Sequence, residues 1–233
     1  MQIEIWSDFV CPFCYIGKER LEQAIERFPK KLDIHIKYRS FELDPNTPAY
    51  NGKSIHELIA KKYNMSLEQA KQTNKQLGEQ ARSVGLEFVF DTMKPTNTFD
   101  VHRISKYAKT VGKENEFVEN TLYHYFTLSA DLSDLETLVH IGEKSGLEKQ
   151  HILDVLQNQD RYVKEVRNDQ HQAQKLGITG VPFFVFNQKY AVSGAQPIET
   201  FMQALEKVEE EERGQFENLS NSKGSYCDGD QCH

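Results

Sequence analysis

Ile3-Glu4-Ile5-Trp6-Ser7-Asp8-Phe9-Val10-Cys11-Pro12-Phe13-Cys14-Tyr15-Ile16-Gly17-Lys18 is the stretch from which the rest of the chain can be read. Ile3 and Ile5 alternate with polar neighbours, the pattern of a half-buried strand. Pro12 suits a first helical turn, where its missing N–H costs no hydrogen bond. Ile16, Leu21, Ala24, Ile25 and Phe28 follow at helical spacing. The segment therefore predicts a short strand, a sharp break and a helix, with Cys11 at the helix N-terminus and Cys14 one turn inside. Unpaired N–H groups and the helix dipole favour a thiolate there, and the thiolate is the form that attacks disulfides. The two-residue spacer lets Cys14 displace a captured partner by closing a small ring. Strand followed by C-x-x-C is a thioredoxin-like redox pattern. A zinc site would need a second close ligand pair, and none follows within the next hundred residues, so no metal is assigned.

Working outward, Leu32, Ile34 and Ile36 alternate with Asp33, His35 and Lys37, which predicts a second strand and a parallel strand–helix–strand unit. His35 falls on the polar phase and receives no catalytic role. Phe41-Glu42-Leu43-Asp44-Pro45 leads into a loop marked by Pro48 and Asn51-Gly52. From Ser54 to about Gly177 the pattern is helical. Ser54/Glu57, Ser66/Gln69 and Ser133/Glu136 fit capping boxes. Leu86–Phe90 reads as a buried connector between helices. Phe99, Tyr123, Tyr125 and Phe126 read first as core packing and only second as a substrate cleft. His102, His124 and His140 make no metal-ligand spacing.

After Gly177 the period changes. Val181-Pro182-Phe183-Phe184-Val185-Phe186 is a strand opened by proline. Asn187-Gln188 turns it into a second strand from Lys189 to Gly194, and Pro197 opens a closing helix. Glu209 to Glu212 lie near the C-terminus of that helix, where the dipole disfavours acids, so fraying is expected there. Residues 215–233 are polar and read as a mobile tail, with a second cysteine pair at Cys227 and Cys232. For that pair a reactive dithiol ranks first, a metal clip with His233 second, and incidental cysteines last.

Composition sets the outer limits. The chain has 233 residues, 38% hydrophobic and 27% charged, with net charge −7 and four cysteines. That size carries one large domain or a domain with an insertion. The acidic balance speaks against a nucleic-acid partner, and no apolar run is long enough for a bilayer. No secretory pattern is visible at the N-terminus, so a cytoplasmic address is expected.

The order of motifs resembles the DsbA family of thioredoxin-fold oxidoreductases. Trp6–Lys18, Phe41–Pro45 and Gly177–Phe186 resemble its FrnE-like subgroup, as does the C-x4-C at Cys227 and Cys232. The resemblance implies an α/β thioredoxin-like fold with a large all-helical insertion. It divides the chain into thioredoxin-like parts at 1–50 and 178–214, a helical insertion at 51–177 and a tail at 215–233. It implies that Cys11 attacks, that Cys14 resolves, and that Pro182 is a cis-proline facing the dithiol. Val181 would then offer backbone groups to an extended substrate, and Cys227/Cys232 would form a secondary redox pair. Substrates would be disulfide-containing proteins or small thiols, with no cofactor beyond the redox disulfide, glutathione as a candidate co-substrate, and a monomer or homodimer as the assembly. Phe13 stands where DsbA has a histidine, which removes one thiolate stabiliser. Reductase or isomerase action is therefore expected ahead of strong oxidase action. Two rivals stand beside this reading: the glutathione-dependent kappa-class transferases or 2-hydroxychromene-2-carboxylate isomerases, which the fold also resembles, and a non-enzymatic binding module made by the helical insertion, with the cysteines holding a metal.

Overall fold

The computed structural model describes residues 1–29 and 33–213, together with the backbone of Cys227–Asp228 and Gln231–Cys232. Four strands form the main sheet: β1 (Gln2–Ser7), β2 (His35–Ser40), β3 (Phe183–Phe186) and β4 (Tyr190–Ser193). Their order is β2-β1-β3-β4. β1 and β2 are parallel, joined through α1 (Pro12–Arg27), while β3 runs antiparallel to both β1 and β4. Ile3 pairs with Phe186 and Ile5 with Phe184, so the apolar phases of both strands share one face. All four of these residues are at most 2% exposed.

The segment between β2 and β3 carries seven helices: α2 (Ile55–Lys62), α3 (Leu67–Arg82), α4 (Phe99–Thr110), α5 (Glu114–Phe126), α6 (Leu135–Lys144), α7 (Lys149–Gln157) and α8 (Val163–Lys175). α9 (Ile198–Arg213) closes the main sheet. Together these elements make the expected thioredoxin-like fold with a helical insertion. The stripe Phe117, Val118, Thr121, Leu122, Tyr125 and Phe126 is buried along α5, as its spacing predicts. Both Ser54 and Ser66 form the expected reciprocal capping boxes.

Three expectations change. The cap of α6 is Asp134, whose side chain accepts from the Thr137 N–H at 2.8 Å. Ser133 instead turns back to Asp131. The connector expected at Leu86–Phe90 is present, with Gly85 at φ +89 and the Val89 N–H donating to the Phe126 carbonyl at 2.8 Å, but the non-helical stretch is longer than expected and runs over residues 83–98. Finally, the acidic end of α9 is tied down rather than frayed. Glu211 takes hydrogen bonds from Lys189 at 2.8 Å and from the Tyr190 hydroxyl, and Glu212 accepts from Asn187 at 2.7 Å. The hairpin supplies the cation that the dipole argument left out.

Cys227–Asp228 and Gln231–Cys232 form a two-stranded antiparallel ladder in which Cys227 stands opposite Cys232. The sulfur chemistry assigned to that pair, and the mobility assigned to the tail, lie outside the described residues.

Candidate functional site

The site forms where β1 ends and α1 begins. Cys11 is the N-cap of α1, in extended conformation (φ −90, ψ 112), with Pro12 in the first turn. Its N–H donates to the Asp8 carbonyl at 3.2 Å, which closes the turn out of β1. Both thiols are free, and both are buried, Cys11 at 4% exposure and Cys14 at 3%. Phe13 between them is 44% exposed and gives the motif an apolar outer surface.

The Val181–Pro182 bond is cis. The Cys11 sulfur lies 3.6 Å from the Val181 carbonyl, so the loop opening β3 meets the dithiol directly. Gly17 makes that approach possible: a β-carbon there would meet Pro182 Cγ and Phe184 Cζ at 3.1 Å each. On the far side of the loop the Gly194 N–H donates to the Pro182 carbonyl at 2.8 Å. Arg20 of α1 donates to the Ala195 carbonyl. The structure thus brings Cys11, Cys14, Val181 and Pro182 together.

Cys14 faces inward. Burial pushes its thiol well above the ordinary range, and the neighbouring Cys11 pushes the same way. Against these, the nearby Ser7 side chain and the Asp8 N–H, 3.5 Å from the sulfur, favour the thiolate.

Behind the motif, α1 is locked onto the insertion. Tyr15 packs 5.9 Å from Phe88 and 6.0 Å from Phe126, ring to ring, and its hydroxyl donates to Glu119 at 2.8 Å. Lys18 is buried and reaches Glu22 at 2.7 Å, Glu119 at 2.5 Å and Glu19 at 3.5 Å. These three carboxylates converge closely enough to hold a cation, and the Lys18 ammonium already occupies their centre.

A second buried network fixes the neighbouring strands. Asp169 of α8 accepts from Lys106 at 2.6 Å, Arg39 at 2.7 Å and the Ser40 N–H at 3.0 Å. Burial works to raise the Asp169 carboxyl, but Lys106 with these hydrogen bonds brings it below the usual carboxylate range. Trp6 of β1 donates to the Asp169 carbonyl at 3.1 Å.

Several of these residues carry no mark in the sequence. Asp8 lies three residues before Cys11, and His102 comes from α4. Both are almost fully buried, and His102 Nε2 approaches Asp8 Oδ1 to 3.4 Å. The nearness of Asp8 to the motif was the one available clue; nothing in the spacing links His102 to it. Of the residues weighed as a cleft, Tyr125 and Phe126 are core, Tyr123 is exposed, and Phe99 lies under the Arg167 guanidinium at 4.3 Å.

Residues 2–206 match the family described as a DSBA-like thioredoxin domain. The curated protein YwbO of Bacillus subtilis (strain 168), described as uncharacterized, is 25% identical over 206 residues, covering 88% of this chain and 96% of that protein. Among solved structures, a probable DsbA oxidoreductase, SCO1869 from Streptomyces coelicolor, superposes with TM-score 0.86 at 37% identity and covers 100% of this chain and 98% of that chain. A 2-hydroxychromene-2-carboxylate isomerase shares the fold at TM-score 0.69 and 16% identity, covering 93% of this chain and 100% of its own.

Proposed function

This chain belongs to the DSBA-like thioredoxin domain family, and from that premise we propose that it is a thiol–disulfide oxidoreductase working through Cys11 and Cys14. The carrying observation is the position of the Cys11 sulfur, at a helix N-terminus and 3.6 Å from the Val181 carbonyl. A substrate chain lying along Val181 would bring its disulfide to that sulfur. Cys11 attacks, one substrate sulfur leaves, and a mixed disulfide remains. Cys14 then attacks the Cys11 sulfur, the second substrate sulfur leaves, and the dithiol has become a disulfide. The proposed substrates are disulfide-bearing proteins or small thiol compounds, with glutathione a proposed reductant of the oxidised pair.

Insulin reduction tests this reading. Cys11→Ser should abolish it, and Cys14→Ser should accumulate a covalent complex through Cys11, visible by mass under non-reducing conditions. Full activity of Cys11→Ser would overturn the assignment. Retention of activity toward a small electrophile with glutathione in that variant would shift the reading to a transferase or isomerase. Cys227 and Cys232, opposite one another in their ladder, are proposed as a secondary pair that exchanges with the first. Under mild oxidation Cys14→Ser should then yield a Cys11-to-tail disulfide; its absence would remove the relay.

A further inference from the structure

The chain carries a net charge of −7, yet cations gather along one edge of the sheet. Lys37 and Arg39 come from β2, Lys106 and Lys109 from α4, and they meet the carboxylates of Glu4, Glu114 and Asp169. Four positive groups thus share three negative ones, and they share them unevenly. Arg39 lies 2.5 Å from Glu4 and 2.7 Å from Asp169, and Lys106 lies 2.6 Å from Asp169. Lys37 stands 3.5 Å from the same Glu4 oxygen that Arg39 holds, and Lys109 stands 3.9 Å from Glu114. The inner cations are closely paired, and the two outer lysines are not.

Both outer lysines border an open cleft of about 310 Å³ between the start of β2 and the turn from α4 to α5, with Gln2, Gly112 and Asn115 also in its walls. Small-molecule pockets begin at about this size, roughly 300 Å³. The Lys37 and Lys109 side chains are 31% and 38% exposed, so a ligand in the cleft can reach them. Glu114 borders the cleft too, but its charge is drawn inward. One oxygen accepts the Tyr38 N–H at 3.2 Å, the other is buried, and burial raises the carboxyl above its ordinary range. α5 begins at this wall, and its N-cap Lys113 gives no side-chain hydrogen bond to the N–H groups of the first turn, which have no partner within the helix. Burial lowers the Lys109 ammonium; Glu114 opposes this, and the Lys106, Lys37 and Arg39 charges add to it. An anion between the outer lysines relieves that repulsion.

We propose that this cleft is a binding site for a small organic anion, its carboxylate or phosphate group held between Lys37 and Lys109. The Gln2 and Asn115 side-chain amides offer neutral hydrogen bonds to the rest of the ligand. The negative charge of the whole chain repels an extended polyanion, which restricts the occupant to a molecule that the cleft itself can enclose. The site is remote from the dithiol. Gln2 opens β1, whereas Cys11 follows its far end, and a strand of this length spans roughly 15–20 Å. The anion site therefore stands whether or not Cys11 and Cys14 exchange disulfides.

Calorimetric titration of the full chain at constant ionic strength tests this, with succinate in one arm, inorganic phosphate in the other and sodium chloride as the reference. Saturable one-to-one uptake is expected in at least one arm and not with chloride. Uptake of phosphate alone or of succinate alone identifies which acid group the cleft takes. Lys37→Gln and Lys109→Gln should each weaken binding at least about tenfold, the loss of one hydrogen bond to a charged group. Lys75→Gln, on the exposed side of α3, should bind as the parent does. Amide spectra of the parent along the same titration should move Ile36, Gly112 and Asn115 ahead of Cys11 and Val181, which decides the matter if a lysine variant does not fold. No uptake beyond chloride in either arm, uptake that both lysine variants leave unchanged, or amide shifts centred away from the cleft would overturn the proposal.

Discussion

Asp169→Asn tests what holds the insertion against the sheet. The substitution keeps the volume and removes the charge that Lys106 and Arg39 share. Arg39 retains Glu4 at 2.9 Å, but Lys106, 6% exposed, keeps the Tyr38 carbonyl at 3.2 Å as its hydrogen-bond partner and Glu114 as the nearby anion. Removing one partner of a buried ion pair costs about 3–5 kcal/mol, since the remaining charge stays desolvated. At roughly 2–4 °C per kcal/mol for a chain of about this size, the midpoint should fall by roughly 6–20 °C. The pH dependence carries its own sign. The Asp169 carboxyl lies lower in the folded chain than in the unfolded one. Its stabilisation is therefore present above the unfolded pKa of about 3.9 and lost as pH falls through the folded value. Urea melts of parent and variant should differ by a constant amount near neutrality, with the gap narrowing below about pH 4. Adding Lys106→Met to Asp169→Asn should recover part of the loss. A single variant within about 1 kcal/mol of the parent at pH 7, or a gap that widens in acid, would refute the reasoning.

Gly17→Ala places a β-carbon 3.1 Å from Pro182 and Phe184; overpacking of this kind costs about 1–3 kcal/mol, and insulin reduction should fall at least about tenfold if the loop carrying Val181 is displaced from Cys11. Lys18→Met leaves the Glu19, Glu22 and Glu119 carboxylates facing one another without their shared cation, and the variant should lose about 1–2 kcal/mol at neutral pH after allowing for solvent screening. That loss should shrink as pH falls toward 5 in urea melts, and a pH-independent loss would contradict it. The buried apolar cluster runs unbroken from Ile3 and Phe184 through Tyr15 to Phe88, Phe117 and Phe126. Thermal melts followed by near- and far-ultraviolet circular dichroism should therefore coincide, whereas separated transitions would show that the insertion unfolds alone.

The strand, the break and the helix around Cys11 were legible because each rests on local chemistry: alternation in β1, proline in the first turn, helical spacing behind it. The hairpin of β3 and β4 was legible for the same reason. The cis bond at Pro182 was implied by family resemblance and is present; residue patterns alone leave a trans strand-opening proline equally open. Capping was read correctly where Ser54 and Ser66 stood alone. It slipped by one residue at Ser133-Asp134, where two good caps are adjacent and tertiary context chooses between them. The ends of α9 and the partners of Asp169 were not legible, because ion pairs form between segments far apart in sequence. The same distance hid His102, 94 positions from Asp8 by their residue numbers.

The two halves of the proposed reaction draw on different parts of the chain. Cys11 is presented by elements next to it in sequence or paired with β1: the turn from Asp8, Pro12, and the loop before β3 seated on Gly17. Cys14 is buried, with its sulfur 3.5 Å from the Asp8 N–H. The residue after it, Tyr15, enters the aromatic packing of the insertion. A helix that pivoted on α1 could not alter one thiol's surroundings without altering the other's, since the two cysteines are a single turn apart. The Lys18 cage and the Asp169 network both oppose such a pivot, one at α1 and one at β2. Both therefore tie down the elements that carry or flank the two cysteines. Substitutions in either network that let α1 shift should therefore slow capture and release together, and a variant in which only one of the two slows would refute this.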